Sequence, residues 1–143
     1  MSGRAGWPGR DAPCRWLWGV LVLAAVHSAA VGVGLIALPS RWLPAFGLAG
    51  EAERFFRAQG GVFHLLMAYA YLLAARRLPR AELLVHLAIV VKGTACVFLV
   101  LYAVLVSSAW VVVASAAGDG AFAVLLVLAR ARCRRADAGQ PGG

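Results

Sequence analysis

This sequence carries little charge. Only 14% of its 143 residues are charged, 62% are hydrophobic, and the mean hydropathy is +0.80. A soluble domain carries roughly 25% charged residues. A chain this short and this apolar cannot cover its surface with polar groups in water, so lipid must be the solvent for most of it. The apolar segments also lack the period-two alternation of a barrel strand, which leaves helices as the spanning elements. Cysteine is scarce: Cys14, Cys96 and Cys133 lie far apart, with no C-x-x-C. That spacing excludes a zinc ribbon or a thiol–disulfide exchange motif. Each cysteine reads as an unpaired thiol or as an acylation site at a membrane edge.

Several chemistries lack their residues. There is no phosphate-binding glycine loop, nucleophile elbow or H-E-x-x-H metal motif. No twin arginine precedes the first apolar run. Small multidrug exporters carry a carboxylate in their first helix, and this first segment has none. Membrane thiol oxidoreductases of the vitamin K epoxide reductase or DsbB kind use paired cysteines, which the spacing does not offer. The expectation is a protein that is more a component than an enzyme.

What is present is four apolar stretches, at about residues 16–38, 54–75, 83–106 and 109–129. Each approaches the roughly 20 residues needed to cross ~30 Å of hydrocarbon as a helix. The predicted fold is therefore an all-α, four-transmembrane-helix bundle over 16–129. A cytoplasmic segment at 1–15 precedes it, and a basic, disordered cytoplasmic tail at 130–143 follows. The first stretch has basic residues before it and a small-residue site at Ser28-Ala29-Ala30, as a cleaved signal would. Its apolar run continues to Leu38, however, beyond the 7–15 residues of a signal core, so a retained helix is expected. Pro39, Trp42, Pro44 and Phe46 predict a short segment lying in the interface between the first two helices. Ser107 and Ser108 mark a tight turn that makes the last two helices antiparallel neighbours.

Net charge is +8, yet no basic face is interleaved with aromatics, which argues against nucleic acid. The basic residues sit instead at segment ends. Arg4, Arg10, Arg15, Arg76, Arg77, Arg80, Arg130, Arg132, Arg134 and Arg135 fall on one side of a four-span chain; Arg41, Arg54 and Arg57 fall on the other, beside Glu51 and Glu53. The positive-inside rule places both termini in the cytoplasm of a multi-pass protein of the cell (plasma or inner) membrane.

Polar residues at depth are the candidates for function. Lys92 lies nine positions into the third span, Asp119 ten into the fourth and His27 eleven into the first; His64 is six into the apolar run that starts at residue 58, and reaches mid-depth if the second helix begins near Arg54. Folding the last hairpin about Ser107/Ser108 offsets Lys92 from Asp119 by four residues, about one helical turn. A lone charge at mid-bilayer costs at least ~2.5–3.5 kcal/mol; a Lys92–Asp119 pair recovers much of that, and the alternative is loss of one charge. Small residues flank all four groups: Gly60, Gly61 and Ala68 around His64; Ala24, Ala30 and Gly34 around His27; Ala88 and Cys96 around Lys92; Ser115 and Ala123 around Asp119. That pattern marks packing faces. His86 reads as interfacial, and Tyr69, Tyr71 and Tyr102 as belt or packing residues. The glycines of Gly118-Asp119-Gly120 permit a close approach or a kink.

Two uses of this layer follow. Lys92 and Asp119 fix the register of a structural hairpin, or His27, His64, Lys92 and Asp119 form a redox, proton-coupled or small-ligand site. No cofactor is predicted and no metal. A haem held between His27 and His64 is a low-ranking alternative, with no supporting motif. The partners expected are the lipid bilayer and further membrane protein, as a homo-oligomer or within a larger complex.

The Pro/Trp/Phe connector, Glu53-Arg54-Phe55-Phe56-Arg57, Tyr71-Leu-Leu-Ala-Ala-Arg76, Val91-Lys92-Gly93 and Gly118-Asp119-Gly120-Ala-Phe122 together resemble small uncharacterised four-helix bacterial membrane proteins. More broadly the chain is similar to the DoxX-like group, which includes a quinol-oxidase-associated subunit. The resemblance implies the four-helix fold and carries over no active site.

Overall fold

The computed structural model describes residues 12–48, 54–78 and 80–138. It contains helices α1 (Ala12–Ala37), α2 (Arg54–Arg77), α3 (Glu82–Leu105) and α4 (Trp110–Ala138), with a 3-10 helix at Ser40–Phe46 between α1 and α2. All four long helices are long and apolar enough to cross a membrane. At 1.5 Å per residue, the 24 residues of α2 or α3 extend ~36 Å, which exceeds the hydrocarbon thickness. No strand occurs among the described residues. The fold is the expected all-α four-helix bundle.

Two ends differ from expectation. Helix α1 begins at Ala12 rather than at residue 16, and α4 runs to Ala138 rather than stopping at 129. Residues 130–138 are thus helical, not a disordered tail. Arginine is a good helix former, and cations suit the C-terminal end of a helix. Contacts to distant parts of the chain anchor this extension, among them an Arg134–Glu82 ion pair at 3.6 Å. Arg130 donates to Glu82 Oε1 at 2.7 Å. Arg132 lies 4.4 Å from the centroid of the Trp16 ring. Cys133 is bonded to Cys14. Arg4, Arg10, Glu51, Glu53 and the tail at 139–143 lie outside the described residues.

Between lipid-facing helices there is no hydrophobic driving force, so close packing has to supply the attraction, and small residues allow it. The interior is accordingly lined with alanine. Ala24, Ala74, Ala88 and Ala129 have no exposed surface, and Leu21, Tyr71 and Leu126 fill the space between them. Helices α1 and α2 pack most closely, then α3 and α4; α1 meets α4, and the α2–α3 junction is the loosest of the four. The α1–α2 crossing is set by Gly32 and Gly61. A Cβ on Gly61 would sit 2.7 Å from the Gly32 carbonyl oxygen and 2.6 Å from Ile36 Cγ1. At Gly34, the glycine the sequence pattern favours, an added Cβ would meet nothing within 4 Å, so no close approach requires it.

The connections close the two ends. On one side the 3-10 helix ends at Gly47, in the left-handed region at φ 74°, and folds onto the start of α4. There Trp110 Nε1 donates to the Ala45 carbonyl at 3.0 Å, and Phe46 stacks on Trp110. The short aromatic connector expected between the first two helices is thus a 3-10 helix held against α4. On the other side the start of α1 meets the end of α4 through the Cys14–Cys133 disulfide, whose residues are 7% and 6% exposed. The reading of these cysteines as unpaired is thereby corrected. An even number of spans returns both chain ends to one side, which brings together cysteines 119 residues apart. Cys96 alone remains a free thiol among the described cysteines. Denatured protein treated with a maleimide-linked polymer is therefore expected to take up one polymer chain before reduction and three after it. Three chains before reduction would contradict the pairing.

Candidate functional site

The four helices bring their ionisable side chains to one layer. Counting from the connector end, His27 lies ten residues from the end of α1, His64 ten from the start of α2, and Asp119 nine from the start of α4. These separations place all three ~14–15 Å deep. Lys92 is thirteen residues from the end of α3 at the same side, ~20 Å deep. Its four-carbon stem spans the remaining turn, since lysine reaches with its head while its stem lies along apolar surface.

Lys92 Nζ donates to Asp119 Oδ1 at 2.5 Å, and the two residues are only 2% and 4% exposed. Aromatic rings complete the ammonium's surroundings. Nζ lies 5.3 Å from the Phe122 centroid and 5.8 Å from that of Tyr71, within cation–π range. Phe122 follows Asp119 by three residues on α4, so one face of that helix supplies both carboxylate and ring. Tyr71 reaches in from α2 and is 1% exposed, so of its two expected roles, belt or packing, it takes the packing one. Gly120 makes room on the α3 side: a Cβ there would come 3.0 Å from Cys96 Sγ. Gly120 serves a close approach, whereas a Cβ on Gly118 would come no nearer than 3.8 Å to His27, and α4 continues through both without a break.

The histidines divide. His27 packs its ring 5.1 Å from that of Phe122, with Nδ1 buried and without a hydrogen-bond partner. His64 instead borders a cavity of about 170 Å³ along the α2–α3 seam, together with Ser28, Tyr71, Lys92 and Asp119. Ser28 is 1% exposed and its hydroxyl has no partner. The sequence treats Ser28 only as part of a cleavage-like triplet; in the fold it is a buried polar group at the wall of this cavity. His86 is exposed beside Arg130 and Arg134 at the basic end, away from the Lys92–Asp119 layer.

A cavity of this volume accommodates a ring the size of benzene, far smaller than a haem macrocycle, and His27 is not among the residues that line it. The geometry therefore does not fit a haem held by His27 and His64. No group of three metal-ligating side chains occurs among the described residues. The Cys14–Cys133 bridge does not revive thiol-exchange chemistry either. Cys96, the remaining thiol, packs beside Gly120, and Gly120 is thirteen residues or ~20 Å along α4 from Cys133. In comparisons with known proteins, the chain matches no family model, no curated protein and no solved structure.

Proposed function

We propose that this protein is a non-enzymatic, multi-pass membrane component whose Lys92–Asp119 pair holds its last hairpin in register. It would act with copies of itself or within a larger membrane complex. One observation carries this reading: the charges, separated by 27 residues in sequence, meet at 2.5 Å with almost no exposed surface. Such a pair compensates itself, so holding the hairpin together is enough to account for both charges at that depth. The short connections, which leave little polar surface for chemistry, also support the reading.

The proposed location is the cell membrane, with both termini in the cytoplasm. Its support is the arginine asymmetry, together with the contacts that gather Arg130, Arg132 and Arg134 around Glu82 and Trp16 at the chain-end side. In that orientation the Cys14–Cys133 bridge lies at the cytoplasmic edge, where exposed thiols are kept reduced. Burial of both cysteines is then what shields it.

A second reading, binding of a small ligand, is favoured by the cavity beside the pair and is developed below.

Two outcomes are expected. Lys92→Ala or Asp119→Ala lowers accumulation in the membrane several-fold, because removing one partner of a buried pair costs ~3–5 kcal/mol. The exchange Lys92→Asp with Asp119→Lys restores most of it. Quantitative immunoblotting of membrane fractions reads this, and normal accumulation of both single variants would remove the basis of the proposal. Reporter domains fused to either terminus should both report the cytoplasm; termini on opposite sides would refute the topology.

A further inference from the structure

We infer that the cavity between α2 and α3 is a binding site, entered from the bilayer, for an uncharged lipid-soluble molecule with a compact hydroxyl or carbonyl head. This goes beyond the structural role of the ion pair and stands or falls separately from it.

The argument begins with Ser28. A hydroxyl buried without a partner is costly, and nearly all such groups in native proteins are satisfied. Ser28 Oγ has no partner, the residue is 1% exposed, and it lines the cavity. Whatever enters meets Ser28 and His64 at the wall; the Ser28 hydroxyl, with almost no open surface in the empty cavity, would be reached by a head group that shifts that wall slightly.

Charge selects against ions. Lys92 and Asp119 border the same space, but they neutralise each other at 2.5 Å. A charged head would have to break that pair or remain uncompensated in hydrocarbon, at the cost that applies to any lone charge there. An uncharged head meets no such cost.

Shape and access select for an amphiphile. The remaining walls are Phe63, Met67, Tyr71, Val91 and Ala95, and the cavity measures about 170 Å³. That is close to the ~150 Å³ that a dry apolar cavity needs for benzene. Toward the basic end, fully buried Leu21, Ala88 and Leu126 lie between this cavity and the separate one lined by Leu17, Leu78 and Val85. The seam lies where neighbouring helices are packed most loosely, and Phe63 at its rim is 60% exposed. A solute thus arrives through lipid, places its head against Ser28, and leaves its apolar body among the rim side chains.

The test uses the full-length protein in phosphatidylcholine nanodiscs and a photoreactive eight-carbon alcohol carrying a diazirine. Irradiation followed by peptide mapping should show saturable adducts on Phe63–Met67 and Val91–Ala95, competed by unlabelled octanol and not by octane. Ala95→Leu fills the cavity and should abolish the saturable labelling. Ser28→Ala should raise the half-saturating concentration about five-fold, the loss of one ordinary hydrogen bond. Thermal unfolding of each variant confirms that it is folded. The inference is overturned by labelling that does not saturate, by labelling spread over lipid-facing positions such as Val104 and Leu105, or by labelling unchanged in both variants. Displacement by octane as readily as by octanol would overturn the assignment of a polar head.

Discussion

Two opposite charges at the middle of a hydrocarbon layer constrain everything around them. Lys92 and Asp119 can remain charged at that depth only by meeting, and they can meet only if α3 and α4 lie antiparallel in one register. The 106–109 connection supplies the reversal, the lysine stem covers the offset of one turn, and Gly120 lets α4 approach α3 closely enough at Cys96. The rings of Tyr71 and Phe122 then surround the ammonium. Tyr71 carries this constraint into the other hairpin, because it belongs to α2. The pair is therefore a point at which the two halves of the bundle are keyed to each other.

The rest of the packing follows from lipid being the solvent. Since apolar side chains gain little by leaving lipid for protein, helices associate where small residues permit close contact. Gly32 and Gly61 bring the backbones of α1 and α2 together, and alanines line the interior. The basic end is fastened differently, by a disulfide, an arginine on a tryptophan face, and an ion pair between Arg130 and Glu82. With three of the helix junctions closed in these ways, the α2–α3 seam is the loose one, and the cavity with its unpartnered serine lies there.

Hydropathy made the spans legible, because an apolar run of fixed length has few other uses. The Lys92–Asp119 pair was legible too, since hairpin arithmetic and the cost of a buried charge point to the same two residues. The disulfide was hidden by its separation in sequence. A signal for it existed, because a four-span chain returns Cys14 and Cys133 to one side. Ser28 and Phe122 were missed because their roles depend on helix rotation, which a nearly uniform apolar surface does not encode. For the same reason Gly32, not Gly34, proved to be the contact glycine. The helical course of 130–138 depends on Trp16, Glu82 and Cys14, partners distant in sequence.

The central claim is that the pair acts as one unit. The direct measurement is the unfolding free energy, in a lipid-like solvent, of Lys92→Met, Asp119→Leu and the double variant. Each single change leaves one charge buried alone and is expected to lose about 3 kcal/mol or more. The double change removes both charges and is expected to recover most of that loss, since apolar replacement of a whole buried pair is often neutral. A double variant as unstable as the sum of the singles, or single variants as stable as the parent, would contradict the account.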